Sequence, residues 1–396
     1  MTASYKRLKE VATINPRRPS IERDNDVMTS FVPMDNVDEV TGAVATLSCE
    51  PFSKIKKGYT YFEEGDVIFA KITPCMQNGK HAVLSGLIGG FGFGSTEFHV
   101  IRPGEEITSQ WIHLFLRRKE TLNAAMNTFT GAVGQQRVPE SFLEELEIPL
   151  PDRDVQNQIA TTVQAELANV EEARQAAVLQ LQDARILRTR VLAGIFKQLE
   201  SVETKTLGDF ADTTSGSTPS RGIKQYWEPA EIPWVKTGEV NFSTIIATEE
   251  AISKPALAEC SLTLLPRQSV LVAMIGQGKT RGQSALLAIE ATTNQNCFAV
   301  LPNDTWEPEF LYYWFVLSYQ YLRNFSADRG GNQSALNGAL LRALKVPAPD
   351  KTQQRHVIQQ VKEALSEIAT LEASIKIMLA DIEQLPHRIL AEAFES

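Results

Sequence analysis

Residues 148–152 read Ile-Pro-Leu-Pro-Asp, and residues 346–350, 198 positions later, read Val-Pro-Ala-Pro-Asp. The same offset then holds without a gap, so that Gln156 matches Gln354 and Phe196 matches Phe394. Agreement of this kind over about fifty residues indicates an internal duplication. The 396-residue chain therefore contains two copies of one unit.

The earlier parts of the two copies align more loosely. Residues 31–32 correspond to 234–235 and 66–70 to 269–273, both 203 apart, whereas 98–100 correspond to 298–300, 200 apart. Gln135 corresponds to Gln333, again 198 apart. We attribute the changes of offset to loop lengths. The predicted order is a globular domain at 1–151, a central helical spacer at 152–200, a second globular domain at 201–349 and a C-terminal helical spacer at 350–396.

Each helical spacer starts with a Pro-Asp pair, which can end a strand and cap a helix. Apolar residues then recur at nearly heptad spacing, which is typical of a coiled coil. They are Leu167, Val170, Ala177, Leu181, Ala184 and Val191 in the first spacer, and Leu365, Ile368, Ile375, Leu379, Ile382 and Ile389 in the second. The spacers are predicted to pair as an antiparallel coiled coil with pseudo-twofold symmetry, alanines facing larger residues. The alternative is that each helix lies on its own domain.

Some 40 helical residues span roughly 60 Å, so the spacers have the length of a molecular ruler. Within the globular domains, strand-like runs at 66–72, 97–101, 270–275 and 297–301 alternate with helical runs near 111–122 and 310–322. The predicted fold class is α+β, with two tandem α+β domains, each followed by a long helix.

Composition excludes several classes of protein. Hydrophobic residues make up 43% and charged residues 22%, which is a globular composition. The net charge of −9 argues against broad adhesion to nucleic acid, although local groups of charge matter more than the total. A polar N-terminus and the lack of an apolar run near 20 residues predict a cytoplasmic protein without a membrane contact. The four cysteines are far apart, so we expect no disulfide framework, metal site or cofactor.

Several strings of residues occur in order and suggest a family. They are Phe-Ala-Lys-Ile-Thr-Pro-Cys-Met-Gln-Asn-Gly-Lys at 69–80, Gly-Ser-Thr-Glu-Phe-His-Val-Ile-Arg-Pro at 94–103, Gln-Gln-Arg-Val-Pro at 135–139, Pro-Leu-Pro at 149–151, Ile-Pro-Trp-Val-Lys-Thr-Gly-Glu-Val at 232–240 and Gly-Asn-Gln-Ser at 331–334. Over essentially its full length, the sequence resembles the specificity subunits of type I restriction-modification systems.

The resemblance implies two target recognition domains, at 1–151 and 201–349, that read the two parts of a split, asymmetric site on double-stranded DNA. It also implies that the paired helices set the gap between these parts and dock two adenine methyltransferase subunits. Motor-nuclease restriction subunits would join the complex. The chain itself would have no catalytic activity.

Polar segments at matching places in the two copies are candidate DNA contacts. Gln and Asn side chains pair with adenine edges, and Lys or Arg with guanine or phosphate. The candidates in the loop of the first copy are Lys71, Thr73, Gln77, Asn78 and Lys80, and those in the second copy are Gln277, Lys279, Thr280 and Arg281. The alternative is that these two loops are solvated turns. A further group comprises Gln135, Gln136 and Arg137, with Asn332, Gln333 and Ser334. This last group could equally cap the following helices.

Two basic clusters, at 54–57 and 117–119, are either phosphate contacts or solvated faces. Residues 276–280 resemble the end of a phosphate-binding loop, but the required earlier glycine is Ala273. No Asn-Pro-Pro-aromatic string of an adenine methyltransferase occurs, and no acidic-x-Lys nuclease motif follows either Pro-Asp pair. These observations predict a non-enzymatic protein. The rival hypothesis is a coiled-coil scaffold that presents two protein-binding modules.

Overall fold

The computed structural model describes residues 4–132, 135–276, 278–327 and 336–395. It divides into two compact units: unit 1 comprises Met1–Val178 and Ile377–Ser396, and unit 2 comprises Leu179–Lys376. Each unit therefore combines one globular part with portions of both helical spacers. The four-segment division along the sequence stays a prediction.

The globular part of unit 1 is a mixture of strands and short helices. Its strands are β1 (Ser4–Arg7), β2 (Ala12–Ile14), β3 (Met28–Val32), β4 (Ser48–Pro51), β5 (Thr60–Glu63), β6 (Val67–Ala70), β7 (His81–Val83), β8 (Phe91–Gly94), β9 (Phe98–Pro103) and β10 (Glu147–Leu150). Its helices are α1 (Leu8–Val11), α2 (Phe52–Ile55), α3 (Ser109–Leu116), α4 (Lys119–Met126) and α5 (Glu140–Glu145), with 3-10 turns at Met34–Asn36 and Ile88–Gly90. The sheets have strand orders β2-β9-β6-β7, β4-β3-β8-β5 and β1-β10.

After α6 (Arg153–Lys197), unit 2 repeats this plan. Its strands are β11 (Thr204–Thr206), β12 (Thr213–Ser215), β13 (Ile232–Val235), β14 (Thr244–Ile245), β15 (Glu250–Ile252), β16 (Val270–Ala273), β17 (Ser284–Leu287), β18 (Thr292–Thr293), β19 (Cys297–Val300) and β20 (Lys345–Pro347). Its helices are α7 (Leu207–Phe210), α8 (Lys254–Glu259), α9 (Pro308–Ala327) and α10 (Gly338–Arg342), with 3-10 turns at Lys224–Tyr226 and Thr237–Glu239, before α11 (Lys351–Glu395). The sheets have orders β12-β19-β16-β17-β14, β15-β13-β18 and β11-β20.

The predicted α+β class is confirmed, and the sheet register corrects one alignment. Ala70 pairs with Phe98 in unit 1, whereas Ala273 pairs with Cys297 in unit 2. Because Ala70 corresponds to Ala273, Phe98 of β9 corresponds to Cys297 of β19, which lies 199 residues later. The offset of 200 predicted from the sequence for these two strands was wrong. Because side chains alternate between the two faces of a strand, a slip of one residue exchanges the faces. In the correct register His99, not Phe98, corresponds to Phe298.

The two long helices are confirmed, and they pack together antiparallel. In unit 1 the early part of α6 shares a hydrophobic core with the end of α11, through Ala160, Val163, Leu390 and Phe394. In unit 2 the late part of α6 shares a core with the start of α11, through residues that include Leu192, Phe196, Val357 and Val361. All twelve predicted heptad residues are buried or half-buried.

A buried glutamine joins each long helix to its globular part. Gln156 Oε1 accepts a hydrogen bond from Thr108 N at 2.9 Å, and its Nε2 donates to the carbonyls of Glu106 and Pro151 at 2.9 and 2.8 Å. Gln354 repeats this arrangement with Glu307 N at 2.7 Å and with the carbonyls of Thr305 and Pro349, both at 2.8 Å. Both glutamines are completely buried, so each helix starts at a fixed point on its domain.

Candidate nucleic-acid interface

In unit 1 the first candidate segment is a compact loop between β6 and β7. Hydrogen bonds from Met76 N to Ile72 O and from Asn78 N to Pro74 O, both 3.0 Å, give it successive turns. Ala70 N donates to Lys80 O at 3.0 Å and closes the loop onto the strand. The side chains of Gln77 and Asn78 are exposed at its tip, where they are available to a ligand.

The second candidate segment lies against the first. Thr73 N donates to Gln136 O at 3.0 Å, and Val138 N donates to Lys71 O at 2.9 Å. The structure thus brings together residues that are about sixty positions apart in the sequence. We call the resulting surface the unit 1 loop surface; it comprises Lys71, Thr73, Gln77, Asn78, Lys80, Gln135, Gln136 and Arg137.

The helix-capping alternative for residues 135–137 is wrong. The N-cap of α5 is Pro139, and no side chain caps that helix end. In unit 2 the N-cap of α10 is Asn337, whose side chain accepts from Leu340 N at 2.9 Å. The three candidates at that place, Asn332, Gln333 and Ser334, lie outside the described residues.

Charged and polar partners orient the side chains of the unit 1 loop surface. Arg137 binds Glu97 through two parallel hydrogen bonds of 2.8 Å, which hold the pKa of the Glu97 carboxyl below its usual range. Asn78 Nδ2 donates to Glu39 Oε2 at 3.2 Å, and Lys80 Nζ donates to the Met34 carbonyl at 3.3 Å. Their donors are thus directed by the protein before any ligand binds.

The buried His99 holds the backbone next to this surface through hydrogen bonds. Its Nε2 donates to the Val138 carbonyl at 2.9 Å, while its Nδ1 accepts from Asn15 Nδ2 at 3.1 Å. Burial lowers the pKa of His99, so the ring stays neutral at pH 7 and keeps this pattern of donor and acceptor. Glu97 and His99 were not among the sequence candidates. Their position within the string 94–103, beside the candidate loops, was the available signal.

The candidate loop of unit 2 has the same attachment but different side chains. Leu336 N donates to Met274 O at 2.9 Å, as Val138 N does to Lys71 O in unit 1. The Lys279 carbonyl accepts a hydrogen bond from Tyr319 Oη at 2.6 Å, and the Lys279 side chain is exposed. Thr280 is half-buried, Arg281 is buried, and Gln277 lies outside the described residues.

The chain around Lys279 is a connection between strands rather than a phosphate-binding loop. It runs from β16 to β17, whereas a phosphate-binding loop opens a helix. Gly276 has a φ of 132°, and a Cβ there would lie 2.9 Å from the Cβ of Thr280. The glycine therefore serves a tight return of the chain.

The two arginines of the basic cluster at 117–119 are half-buried and contact other parts of unit 1. The Arg117 guanidinium donates to the carbonyls of Val40 and Thr41, and Arg118 lies 5.3 Å from the Phe115 ring centre and 5.5 Å from that of Phe394. Arg117 thus binds the loop at Val40–Ala43, and Arg118 packs on Phe394 at the end of α11. Sequence could not show this, because the partners are distant along the chain.

The basic cluster at 54–57 has exposed cations, and Arg18 lies beside it. Lys54 and Lys57 are exposed, and Lys56 Nζ donates to Asn25 Oδ1 at 2.8 Å. Arg18, also exposed, lies 4.9 Å above the Phe93 ring and donates to the Lys56 carbonyl. These four cations form a second basic surface on unit 1, suited to phosphate contacts.

A cavity of about 740 Å³ in unit 1 is lined by the loop at Val40–Ala43 together with α3, α6 and α11, and no residue of the unit 1 loop surface lines it. Within the described ranges we find no cluster of three or more His, Cys, Asp or Glu side chains arranged to hold a metal ion. No helix in that part of the chain is long and apolar enough to cross a membrane. The open loop surfaces suit a large polar ligand.

Comparisons with known proteins agree with this architecture. The family model for the type I restriction modification DNA specificity domain matches residues 2–180 and again 200–379. The EcoEI specificity subunit of Escherichia coli is 39% identical over 156 residues, which cover 39% of this chain and 26% of that protein. The EcoAI specificity subunit of the same organism is 32% identical over 197 residues, which cover 50% of this chain and 33% of that protein. The chain thus spans only a quarter to a third of the length of these two relatives.

Two solved structures share the fold across nearly the whole chain. The crystal structure of the HsdS subunit from Thermoanaerobacter tengcongensis has a TM-score of 0.69 at 20% identity and covers 99% of this chain and 96% of that one. A structure from a study of complex assembly and conformational transition of the type I R-M system has a TM-score of 0.78 at 19% identity, with coverage of 99% and 97%. At these identities, the likeness concerns the fold alone.

Proposed function

This chain belongs to the family of type I restriction modification DNA specificity domains, and we propose that it selects the DNA sequence on which such a system acts. Unit 1 and unit 2 each read one part of a bipartite, asymmetric site on double-stranded DNA. The observation that carries the proposal is the repetition of one loop attachment with different side chains, Lys71 in unit 1 and Met274 in unit 2. Because the two units share a backbone framework but present different side chains on their loops, they are suited to two different half-sites.

The long helices have a separate role in this proposal. Each contains 45 residues, which corresponds to roughly 70 Å of helix, so the pair can set the gap between the half-sites. We assign to them the docking of two adenine methyltransferase subunits, with motor-nuclease restriction subunits joining the complex. The chain acts in the cytoplasm without a cofactor and without catalytic groups of its own.

The experiment that tests the proposal is a map of adenine methylation in the host genome, with and without the gene. Loss of one bipartite, asymmetric motif is the expected result, and it would give both half-sites and the gap. If no motif is lost, a binding assay with the reconstituted complex decides. Failure to bind DNA at low salt would favour the coiled-coil scaffold with two protein-binding modules.

A deletion tests the role of the helices. Removing seven residues, about two helical turns or roughly 10 Å, from both α6 and α11 keeps the heptad seam in register. We expect a shorter gap, or loss of activity, with both half-site sequences unchanged. Altered half-sites with the original gap would contradict the ruler.

A further inference from the structure

Arg137, in the unit 1 loop surface, forms a two-point ion pair with the neighbouring Glu97. Arg137 Nε donates to one carboxylate oxygen and Nη2 to the other, each at 2.8 Å, and Nη1 donates to the Gln135 carbonyl at 3.2 Å. Among the described contacts, one N–H on each terminal nitrogen is left over. Two such neighbouring donors match the O6 and N7 acceptors of guanine in the major groove.

The backbone fixes both ends of this pair. Arg137 N donates to Thr130 O at 2.9 Å, and Arg137 O accepts from Thr130 N at 3.0 Å. Arg137 also forms an antiparallel β-bridge with Ile72. The Glu97 carbonyl accepts from Lys71 N at 2.9 Å, and Glu97 N donates to Ser95 Oγ at 3.2 Å. A guanidinium held in this way loses little conformational freedom when it binds, which favours a specific contact.

Stability does not explain the pair. The Arg137 side chain is 42% exposed and that of Glu97 is 25% exposed. Ion pairs at such surfaces contribute little to folding because water screens them. The Arg137 hydrogen bonds keep the pKa of Glu97 low, so the carboxylate remains charged at neutral pH and the arrangement persists.

Unit 2 has a neutral counterpart at the same place. The Asn296 carbonyl accepts from Met274 N at 2.8 Å, as the Glu97 carbonyl does from Lys71 N. Asn296 and Met274 therefore replace Glu97 and Lys71. At the offset of 198, the residue that corresponds to Arg137 is Ala335, which lies outside the described residues. At these aligned positions, the sequence has the charged pair in unit 1 and two neutral residues in unit 2.

We propose that Arg137 binds the edge of one guanine in the half-site read by unit 1, and that Glu97 is the positioning residue that aims it. The inference rests on the proposed function, since it names a specificity-determining contact of the same surface. Glu97 itself does not touch the DNA.

The test uses the complex reconstituted from the full chain with its methyltransferase subunits. Its affinity is measured for oligonucleotides in which each base pair of both half-sites is replaced in turn. Arg137→Ala should bind the intact site about 10- to 100-fold more weakly, and discrimination should be lost at one G·C pair of one half-site. The dependence of affinity on salt should stay unchanged.

Glu97→Gln keeps Arg137 but weakens its alignment. We expect a loss of about 5- to 10-fold at the same G·C pair, and no further loss when Glu97→Gln is added to Arg137→Ala, because Glu97 acts through the arginine. Arg137→Lys keeps a positive charge but loses the planar pair of donors that Glu97 aligns, so its affinity for the intact site should lie between those of the wild type and Arg137→Ala.

The chain offers a matched control. Arg174 binds Glu171 on α6 through the same two hydrogen bonds of 2.8 Å, with side chains 36% and 24% exposed. Arg174→Ala and Glu171→Gln should leave the base preferences unaltered. The thermal unfolding midpoint of every variant checks that unit 1 remains folded.

Three results would overturn the inference. One is a loss for Arg137→Ala that is equal for all sequences with a shallower salt dependence, since that indicates a phosphate contact. Another is an unchanged affinity, and the third is additive losses in the double variant. A wild-type complex without any sequence preference would overturn the proposed function itself, and the inference with it.

Discussion

In each unit a tryptophan indole donates a hydrogen bond to the backbone carbonyl that precedes the long helix, but the two tryptophans are at different aligned positions. In unit 1 the indole Nε1 of Trp111, within α3, donates to the Pro149 carbonyl at 2.7 Å. In unit 2 the indole Nε1 of Trp306, before α9, donates to the matching Pro347 carbonyl at 2.8 Å. At the strand offset of 199, Trp111 corresponds to Phe310 rather than to Trp306. The carbonyl before each long helix requires a donor, and the domain can supply it from more than one place.

Gln156 and Gln354 show the opposite behaviour, since the same residue fills the same place. One amide satisfies a backbone N–H and two carbonyls, a combination that few other side chains can provide. At the loops, by contrast, Lys71 and Glu97 of unit 1 are replaced by Met274 and Asn296. The helix junction is therefore constrained in its side-chain chemistry, whereas the loop surface is constrained only in its backbone path.

The largest effect is expected when this shared junction is removed. Gln156→Ala should lower the free energy of unfolding of unit 1 by about 3 kcal/mol, and Gln354→Ala should do the same to unit 2, because each change leaves buried backbone groups without partners. Gln158→Ala, at an exposed position of α6, is the control. Urea unfolding followed by hydrogen exchange assigns each loss to a unit. Losses below 1 kcal/mol in both units would show that the glutamines are not the junction.

A smaller difference between the units should appear on acidification. His113 is buried beside His81, and burial lowers the pKa of His113 to about 3. Its Nε2 donates to the His81 carbonyl at 3.2 Å, while the aligned residue in unit 2 is Tyr312. Because the unfolded chain binds the proton near pH 6.5 and the folded unit does not, stability is complete above that pH and falls toward pH 3.

Between pH 7 and pH 5, His113 should therefore cost unit 1 roughly 2 kcal/mol of stability. His81, fully buried with a pKa also lowered by burial, adds in the same direction. Hydrogen exchange of the full chain at both pH values measures the loss in each unit. The variant His113→Gln keeps a side-chain N–H donor but does not titrate, so its unit 1 should lose less stability. An equal loss in wild type and variant would remove His113 as the cause.

The smallest effect concerns one lysine in each loop. Lys279 is exposed, whereas the Lys80 ammonium already donates to the Met34 carbonyl. Lys279→Ala should weaken DNA binding by about 1 kcal/mol and reduce the salt slope by about 1, and Lys80→Ala should have a smaller effect. Lys376→Ala, an exposed position on α11, removes the same charge and is the control. If both loop variants keep the wild-type affinity and slope, these loops do not contact DNA.

Most of the architecture was predictable because its signals are local or repeated. The helices predicted near 152–199 and 350–396 lie at Arg153–Lys197 and Lys351–Glu395. The helical run predicted at 111–122 instead forms α3 and α4, separated at Arg117 and Arg118. The contacts of those two arginines with carbonyls of the Val40 loop and with the ring of Phe394 could not be predicted, because none of these partners is near in sequence.

The sequence by itself determined the duplication, the α+β class and the two long helices, since a gapless repeat and a heptad pattern need no knowledge of distant contacts. Only the tertiary structure decided the partners. It placed Phe394, at the end of the chain, 4.4 Å from the ring of Trp111, and it aligned His99 with Phe298. It also joined Glu97 to Arg137 across 40 positions. Such pairs depend on strand register and helix direction, which hydrogen bonds and burial select only when the whole chain folds.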